Sequence, residues 1–238
     1  MATNKNFNLF YYPGLLLVYA FFIITISSCG KQGNASPTGL NVQYEILNLS
    51  PDLFPVNLYI NNLKVNASPI IFGLNTGYFY VPSIDTPYQI RTTLIIGNTI
   101  FSRHDILKPG VKYSLFISGS NSNGSLKQVF TVDTISTPPI GRGRVRFLNV
   151  SPSTTTGLDV YANDTLAFKN VAYTTISKYL ELPVGSYNFG INSTGSSSTL
   201  KTLPGITIQD GRLYTLYAYG YTNRIDSAAF NAALITNR

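Results

Sequence analysis

Apolar residues recur at every second position along much of the chain. Val42, Tyr44 and Ile46 alternate with polar residues, and Val145 and Phe147 do the same about a hundred residues later. Successive side chains of a strand point to opposite faces, whereas a helix would need a period near 3.6. The pattern therefore predicts strands with at least one packed face.

Short runs rich in Val, Ile, Thr, Tyr and Phe continue the pattern, and clusters of Gly, Asn, Pro or Ser separate them as tight turns would. These runs are 88–96, 112–118, 127–132, 186–192 and 213–219. The nearest approach to an amphipathic helix is 228–234, whose counterpart in a sequence repeat described next is strand-like. About seven short strands per hundred residues predict an all-β fold of two tandem antiparallel β-sandwiches with Ig/fibronectin-like Greek-key connections.

The chain after residue 40 consists of two copies of one sequence repeat. Four blocks recur in one order at a spacing of 101 or 102: LNLSP (47–51) as LNVSP (148–152), LYIN (58–61) as VYAN (160–163), YFYVP (78–82) as YLELP (179–183), and PGVKY (109–113) as DGRLY (210–214). We therefore predict β-sandwich repeats over 41–135 and 143–238, joined by a Pro-rich linker over 136–142.

Each copy places a tyrosine three residues after a turn glycine: Tyr113 follows Gly110, and Tyr214 follows Gly211. Greek-key sandwiches often carry a tyrosine at the corner leading into a strand, where its hydroxyl bonds the backbone upstream. We predict this structural role for Tyr113 and Tyr214. The alternative is a cross-strand tyrosine on the surface.

The N-terminus resembles an export signal. Residues 14–26 (GLLLVYAFFIITI) form a short apolar run typical of a secretory h-region, whereas a membrane span needs about 20 apolar residues. The following ISSC at 26–29 resembles the bacterial lipobox, and Cys29 is the one cysteine of the chain. We predict a lipoprotein signal peptide over 1–28, lipidation at Cys29 and a flexible tether over 29–40; a retained anchor helix is the alternative.

From the lipobox we predict that the protein is an exported outer-membrane lipoprotein of a bacterium. The lipid on Cys29 would hold it to the membrane. Some lipoproteins of Bacteroidetes carry acidic residues just after the cysteine as a signal for surface display. Here the nearest charge is Lys31. Both a periplasm-facing and a cell-surface location therefore stay open.

Composition excludes much of enzymology. A single Cys rules out an internal disulfide framework and a cysteine-rich zinc site, and a single His rules out multi-histidine metal sites. His104 and Asp105 are neighbours on a strand-like run, so their side chains point apart and cannot orient each other as a catalytic triad requires. We therefore predict no catalytic residue, no metal site and no cofactor.

The charge and aromatic content bear on partners. The net charge is +7, and its densest cluster, Arg142, Arg144 and Arg146, shares one strand face. Export argues against a nucleic-acid partner, so this charge fits attraction to anionic lipids or plain solubility. Among 17 Tyr and 14 Phe, the three tyrosines at period two from 217 to 221 form the candidate interaction surface for a glycan or an envelope protein. These residues are Tyr217, Tyr219 and Tyr221.

Several segments resemble the bacterial extracytoplasmic domain-of-unknown-function 4397 family. They are RVRFLNVSP (144–152), LDVY (158–161), NVAY (170–173) and YLELPVGSY (179–187), with a weaker first copy. The resemblance implies cell-envelope β-sandwich repeats, often on lipoproteins, and implies no activity. The sequence thus favours a lipid-anchored envelope protein acting as a non-catalytic binding, adhesion or structural module. The alternative is an enzyme acting on envelope polysaccharide, or a carbohydrate-binding accessory, with a site in one copy only.

Overall fold

A computed structural model describes residues 41–94, 97–154 and 156–238. This part of the chain is all strand, turn and irregular structure, and it contains no helix long and apolar enough to cross a membrane. The predicted signal peptide (1–28), the predicted lipidation site Cys29 and the predicted tether (29–40) lie outside the described residues.

The first repeat is a sandwich of two four-stranded sheets. Its strands are β1 (Asn41–Asn48), β2 (Val56–Ile60), β3 (Leu63–Lys64), β4 (Phe79–Pro82), β5 (Tyr88–Thr92), β6 (Thr99–Arg103), β7 (Lys112–Ser118) and β8 (Lys127–Val132). The strand orders are β4-β1-β7-β8 and β3-β2-β5-β6. Alternating apolar residues of both sheets, such as Tyr44, Ile46 and Leu58, meet between them in one core.

The second repeat has the same plan. Its strands are β9 (Arg142–Asn149), β10 (Leu158–Ala162), β11 (Thr165–Val171), β12 (Leu180–Pro183), β13 (Gly185–Ser193), β14 (Thr199–Ile208), β15 (Leu213–Tyr219) and β16 (Asn231–Thr236). The strand orders are β12-β9-β15-β16 and β11-β10-β13-β14, which match the first repeat strand for strand. The prediction of an all-β chain with two tandem β-sandwiches is confirmed.

One strand pair in each repeat runs parallel, which the sequence did not predict. β1 pairs in parallel with β7, and β9 pairs in parallel with β15. In the first repeat the chain crosses to the opposite sheet for β2 and β3, returns for β4, and crosses again for β5 and β6 before it reaches β7. The second repeat follows the same path from β9 to β15. A parallel pair needs such a crossover, because a hairpin can join only antiparallel neighbours.

The two repeats pack on each other through a third apolar cluster, here called the interface cluster. Its buried members are Leu47, Leu49, Phe116, Leu148, Val150, Tyr217 and Ile235. They lie on, or one residue beyond, strands of the β4-β1-β7-β8 sheet of the first repeat and the β12-β9-β15-β16 sheet of the second. These two sheets are therefore covered on both faces, and β7 and β15 are buried at nearly every position.

Candidate functional site

Two of the three tyrosines predicted as an interaction surface, Tyr217 and Tyr219, lie in the interface cluster between the repeats. Tyr217 is 7% exposed, and its ring lies 5.6 Å from that of Phe116. Tyr219 is half-buried, with its ring 5.7 Å from that of Tyr217. Tyr221 follows the strand and is partly exposed. This corrects the expectation of an exposed patch, because the sheet containing β15 is covered by the first repeat.

Beside the interface cluster, five polar side chains form a closed ring of hydrogen bonds. Arg146 pairs with Asp133 and donates from Nε to Thr215 Oγ1 at 2.9 Å. Thr215 donates to Asn237 at 2.7 Å, Asn237 donates to the Tyr78 hydroxyl at 2.8 Å, and that hydroxyl donates to Asp133 at 2.8 Å. Tyr78 and Asp133 belong to the first repeat and the other three to the second. The ring therefore ties the two sandwiches together.

The charges in this ring are buried and fully partnered. Asp133 is 0% exposed and Arg146 is 5% exposed. Asp133 also accepts hydrogen bonds from Ser114 Oγ at 2.6 Å and from Thr131 Oγ1 at 2.7 Å. A buried charge is tolerated when it is paired and hydrogen-bonded in this way. The geometry assigns both groups to holding the repeats together.

Glu45 lies next to this ring and occupies the position in the first repeat that Arg146 occupies in the second. It is buried, and its Oε2 lies 3.1 Å from Ser114 Oγ. Burial raises the pKa of Glu45, and the nearby Asp133 carboxylate raises it further, against hydrogen bonds that lower it. Glu45 is therefore the group at this interface whose protonation the fold favours.

Two of the three arginines on β9 form hydrogen bonds and ion pairs with other groups of the protein. Arg144 donates to Glu181 Oε1 at 2.9 Å and to the Ser136 carbonyl of the linker at 3.0 Å. Arg146 belongs to the buried ring, and Arg142 remains exposed. The sequence pattern placed three cations on one strand face. Two of them are paired with carboxylates of the protein, Arg144 with Glu181 and Arg146 with Asp133.

His104 and Asp105 have separate partners on the surface. His104 Nε2 lies 3.1 Å from Asp85 Oδ1, and both side chains are mostly exposed. Asp105 pairs instead with Arg103. Among residues 41–94, 97–154 and 156–238, no three His, Cys, Asp or Glu side chains come together as metal ligands would.

The two corner tyrosines lie at equivalent places. The backbone N–H of Lys108 donates to the Tyr113 hydroxyl at 2.9 Å, and that of Gln209 donates to the Tyr214 hydroxyl at 3.1 Å. Both rings are buried. Each hydroxyl thus reaches the backbone five residues upstream, at the corner leading into β7 or β15.

A groove of about 400 Å³ opens on the outer face of the β11-β10-β13-β14 sheet. Polar side chains and one aromatic ring line it, including Tyr161, Asn188, Gly190, Asn192, Thr199 and Thr202. It was not predicted from the sequence. We call it the outer groove.

Strand alternation explains why these residues share the outer face. Val160 of β10 and Ile191 of β13 point into the core, so their neighbours Tyr161 and Gly190 point outward. Tyr161 is directly opposite Gly190, which in turn is opposite Thr202 of β14. Because Gly190 has no side chain, it forms the floor of the groove, with Tyr161 and Thr202 on either side.

Asn192 lies beside this floor and is only 7% exposed. Its Nδ2 donates to the Ser196 carbonyl at 3.2 Å. Its Oδ1 is buried and finds no hydrogen-bond partner among the described residues. A buried acceptor of this kind costs free energy unless something else bonds it.

The first repeat closes the same place with its own side chain. Tyr59 of β2 is the counterpart of Tyr161, and it is opposite Gln89 instead of a glycine. The guanidinium of Arg91 stands over the Tyr59 ring, 4.6 Å from its centroid, and donates from Nε to Gln89 at 3.2 Å. Asn192 holds the position equivalent to Arg91 in the second repeat. Among the described residues of the first repeat, Gln89 and Arg91 therefore occupy the place that the outer groove leaves open in the second.

A signal for the outer groove is present in the sequence. Glycine in a strand interior often marks close approach of a ligand or of another backbone. Gly190 lies within a strand-like run, and alignment of the repeats sets it against Gln89. The alignment of Gly190 with Gln89 indicates the outer face of this sheet, whereas the number of tyrosines in the chain does not.

Two sandwiches of identical strand order, fused through a buried interface, define the chain as a tandem β-sandwich repeat protein. The family described as a domain of unknown function (DUF4397) matches residues 42–156 and 153–237. The chain belongs to this family, and the resemblance noted from the sequence is confirmed. The first match runs past the linker and through β9. No curated protein matches the chain.

Proposed function

We propose that this protein is a lipid-anchored, non-catalytic binding module of the bacterial cell envelope. The observation that carries the proposal is the outer groove, which the second repeat leaves open and the first repeat fills with Arg91. A site open in one of two otherwise matching domains is what a binding function added to a structural scaffold would produce.

The anchor is supported by the N-terminal sequence. A short apolar run leads into ISSC at 26–29, and a polar stretch follows it before the first strand. Acylation at Cys29 would hold the module at the outer membrane, on its periplasmic or its outer side. Several acyl chains on one residue bind a membrane far more firmly than one chain does.

The charged groups of the molecule support binding over catalysis. The buried pair Asp133 and Arg146 is used by the interface, and Asp159 accepts hydrogen bonds from the N–H of Asn170 at 2.7 Å and from Thr194 Oγ1 at 2.9 Å. The outer groove itself is lined by one carboxylate, Asp164. Hydrolysis of a glycosidic bond ordinarily uses two carboxylates across the reacting bond.

The anchor is tested by labelling bacteria with a palmitate analogue and fractionating their membranes. The native chain should carry the label and stay with the outer membrane. Cys29→Ser should lose the label. Label that persists in Cys29→Ser, or a native chain without label, would overturn the lipoprotein assignment.

The binding role is tested with the predicted mature chain, residues 29–238 with Cys29→Ser, on washed envelopes from which the native protein is absent. Saturable binding is expected, reduced at least tenfold by Gly190→Arg, which fills the outer groove. Thr207→Arg is the control, because Thr207 is an exposed residue of β14 in the same sheet and lies outside the groove lining. Equal binding by Gly190→Arg and the parent chain would overturn the assignment of the groove.

A further inference from the structure

We propose that the outer groove binds an uncharged polysaccharide, with one sugar ring stacked on Tyr161 and its hydroxyls bonded by the amide and hydroxyl groups around Gly190. The inference rests on the proposed function and gives its binding site a ligand class.

The ring of Tyr161 provides the apolar part of such a site. It projects from the outer face of β10 beside the glycine floor. In the first repeat the equivalent Tyr59 ring already carries a flat group, the Arg91 guanidinium, at 4.6 Å. Pyranose rings present a face of C–H groups that packs on an aromatic ring in a similar way, and the tyrosine hydroxyl remains in contact with water. The second repeat therefore leaves open a stacking position that the first repeat occupies itself.

Asn192 and Asn188 supply matched polar groups. Asn192 is more than nine-tenths buried, lines the groove, and has an unpartnered Oδ1. Asn188 Oδ1 accepts the N–H of Gly205 at 2.8 Å, which fixes that side chain and leaves its NH₂ group to donate. A sugar hydroxyl both donates and accepts, so it can bond an amide oxygen and an amide N–H at once. Because the Asn192 Oδ1 has almost no accessible surface, a ligand hydroxyl would bond it only after the side chain turns towards the groove.

The charge of the groove argues against an acidic ligand. Its lining contains the Asp164 carboxylate and neutral amides, hydroxyls and aromatic carbons, with no Lys or Arg. Phosphate and carboxylate ligands are held by cations or by clustered backbone N–H groups. Although the chain as a whole has a net charge of +7, that positive charge does not line this groove.

The dimensions are those of a small-ligand site. A volume of about 400 Å³ lies within the range of about 300–1,000 Å³ found for ligand sites. The groove lies on the outer face of a sheet instead of inside a cavity, so it does not require a chain end. This geometry fits an internal segment of a polysaccharide.

The test is titration calorimetry of the predicted mature chain, residues 29–238 with Cys29→Ser, against purified neutral polysaccharides and acidic ones. The neutral set would contain glucans, mannans, galactans and xylans, and the acidic set polygalacturonate and alginate. We expect saturable binding to at least one neutral polymer and at least tenfold weaker binding to every acidic one. No binding to any neutral polymer, or a preference for the acidic set, would overturn the ligand class.

Variants locate the binding. Tyr161→Ala should weaken binding at least tenfold and Tyr161→Phe less than threefold, because stacking needs the ring and not the hydroxyl. Tyr59→Ala in the first repeat is the matched control and should leave binding unchanged. If circular dichroism shows that Tyr161→Ala is unfolded, Gly190→Arg tests the same binding site by filling the groove. Unchanged binding in a folded groove variant would overturn the site.

The two proposals fail in different ways. Envelope binding that depends on Gly190 but disappears on protease treatment of the envelopes would identify a protein partner. That outcome would overturn the polysaccharide inference and leave the binding module standing. Envelope binding insensitive to Gly190→Arg would remove both.

Discussion

The ring of Phe116 packs edge-on against the ring of Tyr217, with centroids 5.6 Å apart, and the two residues occupy equivalent positions in the two repeats. Phe116 of β7 is paired with Leu47 of β1, just as Tyr217 of β15 is paired with Leu148 of β9. The interface is thus built from the same patch on both copies. It resembles the isologous contact of a two-fold dimer, here made within one chain.

Phe116→Ala should destabilise the protein by about 3–5 kcal/mol, since a fully buried ring would leave a cavity that the two packed sheets can fill only in part. Urea unfolding followed by circular dichroism measures the change. Tyr80→Ala is the control, because this side chain is 70% exposed and its loss should change stability by less than about 0.5 kcal/mol. A Phe116→Ala change as small as the control would contradict the interface assignment.

Arg146→Met should cost about 3–5 kcal/mol, because it leaves the Asp133 carboxylate buried without its counter-charge. Adding Asp133→Asn to the variant should recover part of the loss by removing that charge. Both are measured by the urea midpoint. Arg224→Met is the control, because its partner Asp226 is exposed and solvated, and it should barely move the midpoint. Equal midpoints for Arg146→Met and Arg224→Met would contradict a structural role for the buried pair.

Local patterning was enough to predict the strands and the two sandwiches, because alternation decides which side chains of a strand share a face. It does not decide what covers that face. Tyr217 was correctly grouped with Tyr219 by its period, and still the face proved to be internal. The near-continuous burial along β15 is the feature of a strand covered on both sides, and the apolar run LYTLYAY at 213–219 carries that signal in the sequence.

Comparison of the repeats was misleading where two copies differ in charge. Glu45 and Arg146 are equivalent positions, and the mismatch indicates from sequence only that no charged site is built twice. The structure shows that Arg146 is balanced by Asp133 from the other repeat. Such a pairing depends on how the sandwiches dock, which local pattern does not encode. The outer groove differs in this respect, because it depends on a local feature, the glycine at 190 where the first repeat has Gln89.

Tyr214→Phe should destabilise the protein by about 1–3 kcal/mol, because the N–H of Gln209 would lose its acceptor at a part-buried corner. Tyr113→Phe should behave alike through Lys108. Thermal and urea unfolding measure both. Tyr80→Phe removes a hydroxyl from an exposed ring and should be neutral. If the corner variants match Tyr80→Phe, these hydroxyls have no structural role.

Gly220→Ala should be more damaging than Gly211→Ala, although both glycines have positive φ. At Gly211 an added Cβ would meet nothing within 4 Å, so only left-handed backbone strain of about 1–2 kcal/mol is expected. At Gly220 the Cβ would collide with the carbonyl of Ala229, which should add about 1–3 kcal/mol of overpacking. The paired urea midpoints measure the difference, and equal values would contradict the close approach at Gly220.

Glu45 should make stability fall as pH rises above about 4.5. Burial raises its pKa in the folded protein above the ordinary value of 4.5, so the folded state binds this proton more tightly than the unfolded chain does. The stabilisation is complete below pH 4.5 and is lost as pH rises through the raised folded pKa. The free energy of unfolding of the native chain, minus that of Glu45→Gln, should therefore decrease between pH 4 and 8.

Asp159 provides a control of opposite sign. Burial acts to raise its pKa, but hydrogen bonds from the Asn170 N–H, the Thr194 hydroxyl and the Gly195 N–H lower it overall. Its contribution is present above its ordinary value of 3.8 and is lost as pH falls through the lowered folded pKa. The same difference against Asp159→Asn should therefore shrink towards acid pH. Parallel curves for native and Glu45→Gln chains would show that the interface does not favour protonated Glu45, whatever Asp159 does.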